Sequence, residues 1–251
     1  AALAEAQSLG YAERDPTADV EGFDAGAKAA IIATIAFGAG VVAGDVYHEG
    51  ISGITAADIA IAKRLGYVVK LLAIAERKGD AVAVRVHPAM VPLTHPLASV
   101  RDSYNAVFVE GDAVGSLMFY GRGAGGAPTA SAVLGDVVAV ARHIVAGSKG
   151  PAESDYADLG IAPKGASITK YAIRLSVLDK PGVLASVANT FASEEVSIQT
   201  VLQKGRGDDA EITVVTHRAT EAHLSATVDK LAKSDVVREV ERVIRVEGSA
   251  S

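Results

Sequence analysis

The stretch that decides the fold of the second half of this chain is Tyr171–Phe191, YAIRLSVLDKPGVLASVANTF. Apolar side chains at positions 171, 173, 175 and 177 alternate with small or polar ones, which is the two-residue period of a strand with one buried face. The alternation then stops, and Pro181 suits the first turn of a helix that we expect to end near Glu194. The stretch therefore predicts a strand followed closely by a helix.

Four further elements follow toward the carboxyl end. The pattern predicts strands over Val196–Gln203 and Glu211–His217, a helix capped by Thr220, and a last strand over Val236–Val246. The order strand–helix–strand–strand–helix–strand is the ferredoxin-like arrangement, a four-stranded sheet with two helices on one face. We therefore expect residues 168–248 to form one small domain.

Residues 1–148 contain helices and hairpins in a less regular order. The predicted elements are a helix starting at Asp24, a helix over Ala56–Leu65 capped by Thr55, hairpins over Val68–Val86 and Asn105–Tyr120, and a long helix over Ala130–Ala146. Residues 149–167 are rich in Gly, Pro, Ser and Asp and predict a linker. The expected fold class is α+β, with a mixed or antiparallel sheet and helices on one face, followed by the ferredoxin-like domain.

Composition excludes several classes of function. The net charge is −6, aromatic residues make up 5% and Trp is absent, so nucleic-acid binding is not expected. Cysteine is absent and the six histidines lack ligand spacing, so we expect no metal site. The longest uncharged apolar stretch, Ala29–Gly44, has 16 residues, fewer than the about 20 of a membrane span. We expect a cytoplasmic protein.

The richest segment in ionisable residues is Tyr11–Lys28, YAERDPTADVEGFDAGAK, with five acidic residues between positions 13 and 24. Asp24 and Lys28 lie one helical turn apart, on the face that continues through Ile31, Ile32 and Ile35. We expect this face to be buried. One interpretation is a capped helix beside a solvated loop; the other is an ionisable pair in a cleft that moves protons.

The same segment resembles the substrate-binding segment of homoserine dehydrogenases, with GYAE, DP and DVEG-x-DA-x-x-K at matching spacing. The resemblance implies the interconversion of aspartate 4-semialdehyde and homoserine with NADP or NAD. It makes Lys28 the acid/base group, with Asp24 beside it as a catalytic and substrate-binding residue. Glu13 would also bind the amino acid, and Tyr11 and Asp19 would line the site.

A glycine-rich loop, YGRGAGGAPTAS, occupies Tyr120–Ser131. Its glycines fit G-x-G-x-x-G, but no second parallel strand is expected after the helix, so a dinucleotide fold is not favoured. The loop resembles the homoserine dehydrogenase segment that approaches the nicotinamide, which implies cofactor contacts at Gly123 and Gly125. Arg122 stands where many members have Pro. A purely structural turn remains an alternative.

Leu178–Phe191 resembles the first strand–turn–helix of ACT domains, which bind amino acids. The implied effector-binding residues are the loop Asp179, Gly182 and Val183 with Ile198 and Gln199 of the next strand. The implied effector is threonine, bound across the interface of a homodimer or homotetramer. A ferredoxin-like domain that only dimerises is the alternative.

The resemblance covers residues 1–148 as a catalytic region and 168–248 as an ACT domain. The first residue is Ala, and Ala1–Leu9 predicts a helix without a preceding cap. We therefore expect the nucleotide-binding domain and the start of the catalytic domain to be absent, and this polypeptide alone to be inactive. The alternative function is a non-catalytic module that binds an amino acid and dimerises.

Overall fold

The computed structural model describes residues 2–10, 14–149, 159–207 and 210–248. Its helices are α1 (Ala2–Ser8), α2 (Thr17–Val20), α3 (Phe23–Phe37), α4 (Ala56–Arg64), α5 (Gly126–Val145), α6 (Val183–Ser193) and α7 (Glu221–Ala232). Its strands are β1 (Tyr47–His48), β2 (Tyr67–Lys78), β3 (Ala81–Pro92), β4 (Tyr104–Gly111), β5 (Gly115–Arg122), β6 (Gly160–Ile161), β7 (Ile168–Val177), β8 (Ile198–Lys204), β9 (Glu211–Thr216), β10 (Ala219–Thr220) and β11 (Val237–Val246).

Strand β3 joins the two halves of the chain into one nine-stranded sheet. It pairs antiparallel with β2 along its whole length, and it pairs parallel with β1, β6 and β11 at successive positions. The β3–β11 contact places Ala89 beside Arg245 and Met90 beside Val246. The sheet of the second half is therefore continuous with that of the first.

The second half has the predicted ferredoxin-like topology. Its strands run in the order β11–β7–β9–β8, all neighbours antiparallel, and α6 and α7 pack on one face through a core that includes Phe191, Leu224 and Leu231. Helix α6 begins at Val183, later than expected, because Gly182 adopts a left-handed φ of 88° and stands just before the first turn. Pro181 thus precedes the helix.

The opposite face of this sheet is covered by the first half of the chain. Ala62 of α4 packs against Met90, Ala172, Val215 and Ile244. The cap predicted at Thr55 is present, and Asp58 completes it as a capping box. Asp58 is 2% exposed; it accepts a hydrogen bond from Arg174 and forms an ion pair with Arg242, both of the second half. Helix α4 therefore attaches the two halves by apolar and ionic contacts.

The predicted linker takes part in the sheet over the residues that are described. Gly160 and Ile161 form β6 beside Ala81 and Val82 of β3, and Lys164–Ala166 form a short 3-10 helix. The boundary between the two sections remains a prediction.

The buried face of α3 differs from the predicted one. Gly26, Ala29, Ala30 and Ala33 face β2 and β3, whereas Ile31, Ile32 and Ile35 are 60%, 40% and 79% exposed. The expectation that the isoleucine face is buried was therefore wrong. Small residues face the sheet because they allow α3 to pack closely against the valines of β3.

Helix α5 contains no buried residue. It carries exposed Val133, Leu134, Val137 and Ile144 on its surface. Among the described residues it is the one helix whose length and composition would allow it to cross a membrane. Asp136, Arg142 and His143 lie within it.

Candidate active site and neighbouring sites

The segment that carries the proposed catalytic residues is folded by local contacts. Asp15 accepts hydrogen bonds from the backbone and the hydroxyl of Thr17, at 3.2 and 2.7 Å, and these bonds lower the pKa of its carboxyl. Gly22 then turns the chain into α3 with a φ of 80°, and a Cβ at this position would lie 2.9 Å from Cγ1 of Val86. The turn therefore fixes where α3 starts on the sheet.

Asp24 and Lys28 form an ion pair in the first turns of α3. The Lys28 Nζ donates to Oδ2 of Asp24 at 2.5 Å, and the side chains are 46% and 64% exposed for Asp24 and Lys28. The pair shares a face with Ile31, Ile32 and Ile35, as the spacing predicts, but that face is open. Asp19 in α2 is exposed as well. Tyr11 and Glu13 lie outside the described residues.

The open face rests on a tightly packed layer. The ring of His48 lies 5.2 Å from that of Phe23, and a Cβ at Gly26 would lie 1.9 Å from Nε2 of His48. The sequence motif places Gly26 two residues before Lys28, and any larger residue there would have to displace the His48 ring. His48 is therefore a packing residue under the helix that presents Asp24 and Lys28.

The glycine-rich loop has two kinds of glycine. A Cβ at Gly123 would lie 1.7 Å from Nδ2 of Asn105, so this position is closed by the neighbouring strand. Gly125 adopts a φ of 117° before α5 and provides no side-chain cap, and space around Gly126 is open. Backbone N–H groups at the start of α5 are thus available to a polar ligand.

Arg122 in this loop has a structural environment. Its guanidinium lies 4.9 Å from the ring centroid of Tyr104 and donates to Oγ of Ser103 at 3.2 Å. Tyr104 in turn stacks on Tyr120 at 4.8 Å. Arg122 therefore packs on the β4–β5 hairpin.

The five predicted effector positions occupy different environments. Asp179 accepts a hydrogen bond from the backbone N–H of Gly207 at 2.8 Å, Gly182 has the left-handed φ already described, and Val183 is 5% exposed within the core. Ile198 packs against the same core. Gln199 accepts a hydrogen bond from Lys170 at 3.4 Å.

A buried ionic cluster between the halves was not predicted. Arg245 of β11 binds both carboxylate oxygens of Glu221 and also Glu49, and these carboxylates hold its pKa above the usual range although burial opposes this. His87 lies beside it at 0% exposure; burial and then the charge of Arg245 lower its pKa to about 3. Glu49 and Arg245 are 196 residues apart, so no local pattern could have indicated their contact.

The described part of the chain contains no cluster of three or more His, Asp or Glu side chains that could hold a metal ion. The described acidic residues of the first motif lie apart along the chain: Asp15 before α2, Asp19 within it, Glu21 between the two helices and Asp24 in α3.

Comparison with known proteins gives consistent results. Residues 1–138 match the sequence model of the homoserine dehydrogenase family, and residues 171–235 match that of the ACT domain. The chain is 57% identical to a homoserine dehydrogenase of Mycobacterium tuberculosis over 259 aligned positions, covering 99% of this chain and 59% of the relative. A homoserine dehydrogenase of Corynebacterium glutamicum is 55% identical, over 98% of this chain and 56% of the relative.

Solved structures agree. The chain superposes on a homoserine dehydrogenase from Thiobacillus denitrificans with a TM-score of 0.91 and 41% identity, covering 98% of this chain and 57% of that one. The chain thus spans less than two thirds of the length of these relatives. Because the family model matches more than half of its residues, this chain belongs to the homoserine dehydrogenase family and carries an ACT domain in its second half.

Proposed function

We propose that this chain provides the substrate-binding and regulatory regions of a homoserine dehydrogenase, which interconverts aspartate 4-semialdehyde and homoserine in threonine and methionine biosynthesis. The observation that carries the proposal is the Asp24–Lys28 ion pair, 2.5 Å long and presented on the open face of α3. It stands in the family's motif, in a chain that the family model matches over residues 1–138.

The pair has the chemistry that this reaction needs. Reduction of an aldehyde places negative charge on its oxygen, and the Lys28 ammonium can stabilise that charge and then donate a proton. In the oxidation of homoserine, a neutral Lys28 would accept the hydroxyl proton. The Asp24 carboxylate orients Lys28, and with Glu13 and Asp19 it would bind the substrate ammonium. Tyr11 would line the same site.

The open face of α3 supports a proposal about how the site is completed. This face carries Ile31, Ile32 and Ile35 at 60%, 40% and 79% exposure, and adjacent exposed apolar side chains are typical of a surface that another domain or subunit covers. We propose that the nucleotide-binding region covers it. Covering would exclude water from Asp24 and Lys28 and strengthen their electrostatic effect on the substrate.

The cofactor in this proposal is NADP or NAD, whose nicotinamide supplies or accepts the hydride. The open space and the backbone N–H groups at the start of α5 fit the polar edge of the nicotinamide. Gly125, in the uncapped turn before this helix, would contact the nicotinamide. Gly123 packs against Asn105 of β4 and so holds the loop against that strand. The groups that would hold the remainder of the cofactor belong to the nucleotide-binding region.

The ACT domain would provide feedback. We propose that threonine binds at the start of α6, where Asp179, Gly182 and Val183 shape the loop, and that Ile198 and Gln199 contribute from β8. The protein would act in the cytoplasm as a homodimer or homotetramer. Its sites take small amino acids, and we assign no metal ligand among the described residues.

Steady-state kinetics test the catalytic part. The protein is extended at its amino-terminal side to the length of its relatives, and NAD(P)H formation is measured with homoserine. We expect the extended protein to turn over, the 251-residue chain to be inactive, and Lys28→Met to lower kcat about 10² to 10⁴-fold. Lys63→Met on the exposed side of α4 is the matched control. Activity of Lys28→Met within threefold of the control would refute the assignment.

Thermal denaturation of the 251-residue chain tests the effector. Threonine that binds the native state raises Tm in proportion to RT ln(1 + [L]/Kd), whereas serine serves as a control for specificity. An extended protein without turnover, together with a threonine-dependent Tm, would favour the non-catalytic binding module instead.

A further inference from the structure

The segment Tyr47–Ser52, here called the bridge segment, touches both the helix of the proposed active site and the ACT sheet. On its sheet side, Tyr47 and His48 pair with Arg85 and Val86 of β3. On its other side, the N–H of Ile51 donates to the carbonyl of Val20 at 2.8 Å. The bridge segment is therefore fixed by backbone hydrogen bonds to the sheet and to α2.

Side chains strengthen the contact with α2 and α3. Ser52 donates to Oε1 of Glu21 at 2.8 Å, and a Cβ at Gly50 would lie 2.4 Å from Oε2 of the same glutamate. His48 fills the space under Phe23 and Gly26, as described above. The bridge segment therefore packs directly against the residues before α3 and against its first turns, which carry Asp24 and Lys28.

Glu49 connects the same segment to the ACT domain. Its Oε2 accepts from Nη1 of Arg245 at 2.6 Å and from the hydroxyl of Tyr47 at 3.3 Å. The Arg245 side chain is only 8% exposed and is held on its other edge by the buried Glu221 at the start of α7. A rigidly held guanidinium thus fixes one end of the bridge segment.

We propose that Glu49 is a positioning residue through which the ACT sheet, by Arg245, holds the bridge segment and so the helix of Asp24 and Lys28. The claim that Glu49 affects catalysis rests on the proposed function. The claim that Glu49 holds the start of α3 in place does not. Reacting groups displaced by about 1 Å can lose up to about 10²-fold in rate. Loss of the Glu49 contact is therefore expected to act on the substrate site although Glu49 is not a part of it.

The chain offers a matched control. Arg174 also binds two carboxylates, Asp58 at 3.0 Å and Glu241 at 3.0 Å. Glu49→Ala and Glu241→Ala each remove the more exposed carboxylate of an arginine that keeps a buried one, since the side chains of Glu49 and Glu241 are 39% and 24% exposed. Glu241 lies on β11 and has no described contact with the bridge segment.

Hydrogen exchange on the 251-residue chain is the first measurement. We expect Glu49→Ala to accelerate exchange of amides in residues 17–37 at least threefold, and Glu241→Ala to leave them unchanged. Unchanged exchange in Glu49→Ala, or equal acceleration in both variants, would overturn the proposal. This measurement does not depend on enzyme activity.

Kinetics of the extended protein are the second measurement. Glu49→Ala is expected to raise KM for homoserine and to lower kcat, each about five- to tenfold, and Glu241→Ala to change neither. An unchanged KM in active Glu49→Ala enzyme would overturn the catalytic part. If the wild-type protein shows no turnover, the proposed function fails, while the exchange result still decides whether Glu49 positions α3.

Discussion

The Glu221–Arg245 ion pair is a contact whose loss we expect to destabilise this chain strongly. Glu221 and Arg245 are 3% and 6% exposed, and the Arg245 Nε lies 3.1 and 3.3 Å from the two carboxylate oxygens. Arginine remains protonated at every ordinary pH. Glu221→Ala would therefore leave a buried positive charge, with Glu49 as its remaining carboxylate contact among the described residues.

The expected loss follows from the burial. Removing one partner of a buried pair costs about 3–5 kcal/mol. Because the side chain of Glu49 is 39% exposed and still compensates part of the charge, we expect the lower end, about 3 kcal/mol. In a chain of this size, this corresponds to a decrease in Tm of about 6–12 °C. Glu221→Gln, which keeps the shape, should lose less.

Urea unfolding followed by circular dichroism measures the loss as a change in midpoint at constant m. The control is Glu194→Ala, which removes a surface ion pair with the half-exposed Lys230 and should cost less than about 1 kcal/mol. Salt at about 1 M shortens the Debye length to about 3 Å and should weaken only the surface pair. A loss in Glu221→Ala no larger than that of the control would refute the reasoning.

Three further predictions concern buried groups. The ring of His87 takes up a proton below its ordinary pKa of 6.5 in the unfolded chain, whereas in the folded chain its pKa is about 3 and it stays neutral. The free energy of unfolding therefore falls by about 1.4 kcal/mol per pH unit as pH falls from 6.5 toward 3. Urea titrations of His87→Gln should show a correspondingly shallower pH dependence. Gly26→Ala should destabilise the chain by about 1–3 kcal/mol through the clash with His48. Its control is Gly135→Ala, in open space on α5, which should stabilise the chain by up to about 1 kcal/mol. A higher Tm for Gly26→Ala than for the wild type would contradict the packing. Asp58→Asn should cost about 3 kcal/mol because two arginines lose their buried carboxylate, and a midpoint in urea equal to that of the wild type would disprove this.

Local patterns were sufficient for most elements of the fold. The alternation from Tyr171 to Val177 predicted β7, and the Thr55 cap predicted α4 almost to the residue, because a strand's pleat and a helix's first turn are fixed by neighbours in sequence. Hairpin β2–β3 was predicted too short at both ends. Its outer pairs, such as Tyr67 with Pro92, are stabilised by contacts with the rest of the sheet, which local alternation does not report.

The proximity of the proposed catalytic pair could also be predicted from the sequence. A carboxylate and a lysine one turn apart must share a helix face, and Asp24 and Lys28 do. The burial of that face could not be predicted from the sequence. Both faces of α3 are apolar in composition, and the choice of the alanine face for the sheet depends on how closely β3 approaches the helix.

The sequence by itself determined the family motif, the ferredoxin-like order of the second half and the residues that face together along each element, since these depend on separations of a few residues. Only the tertiary structure decided that β11 continues the first half's sheet through β3, and that Glu49 meets Arg245 across 196 positions. Such contacts arise when separate elements pack and exclude water from charged groups. Their energies depend on burial and distance, and the local sequence pattern predicts neither quantity.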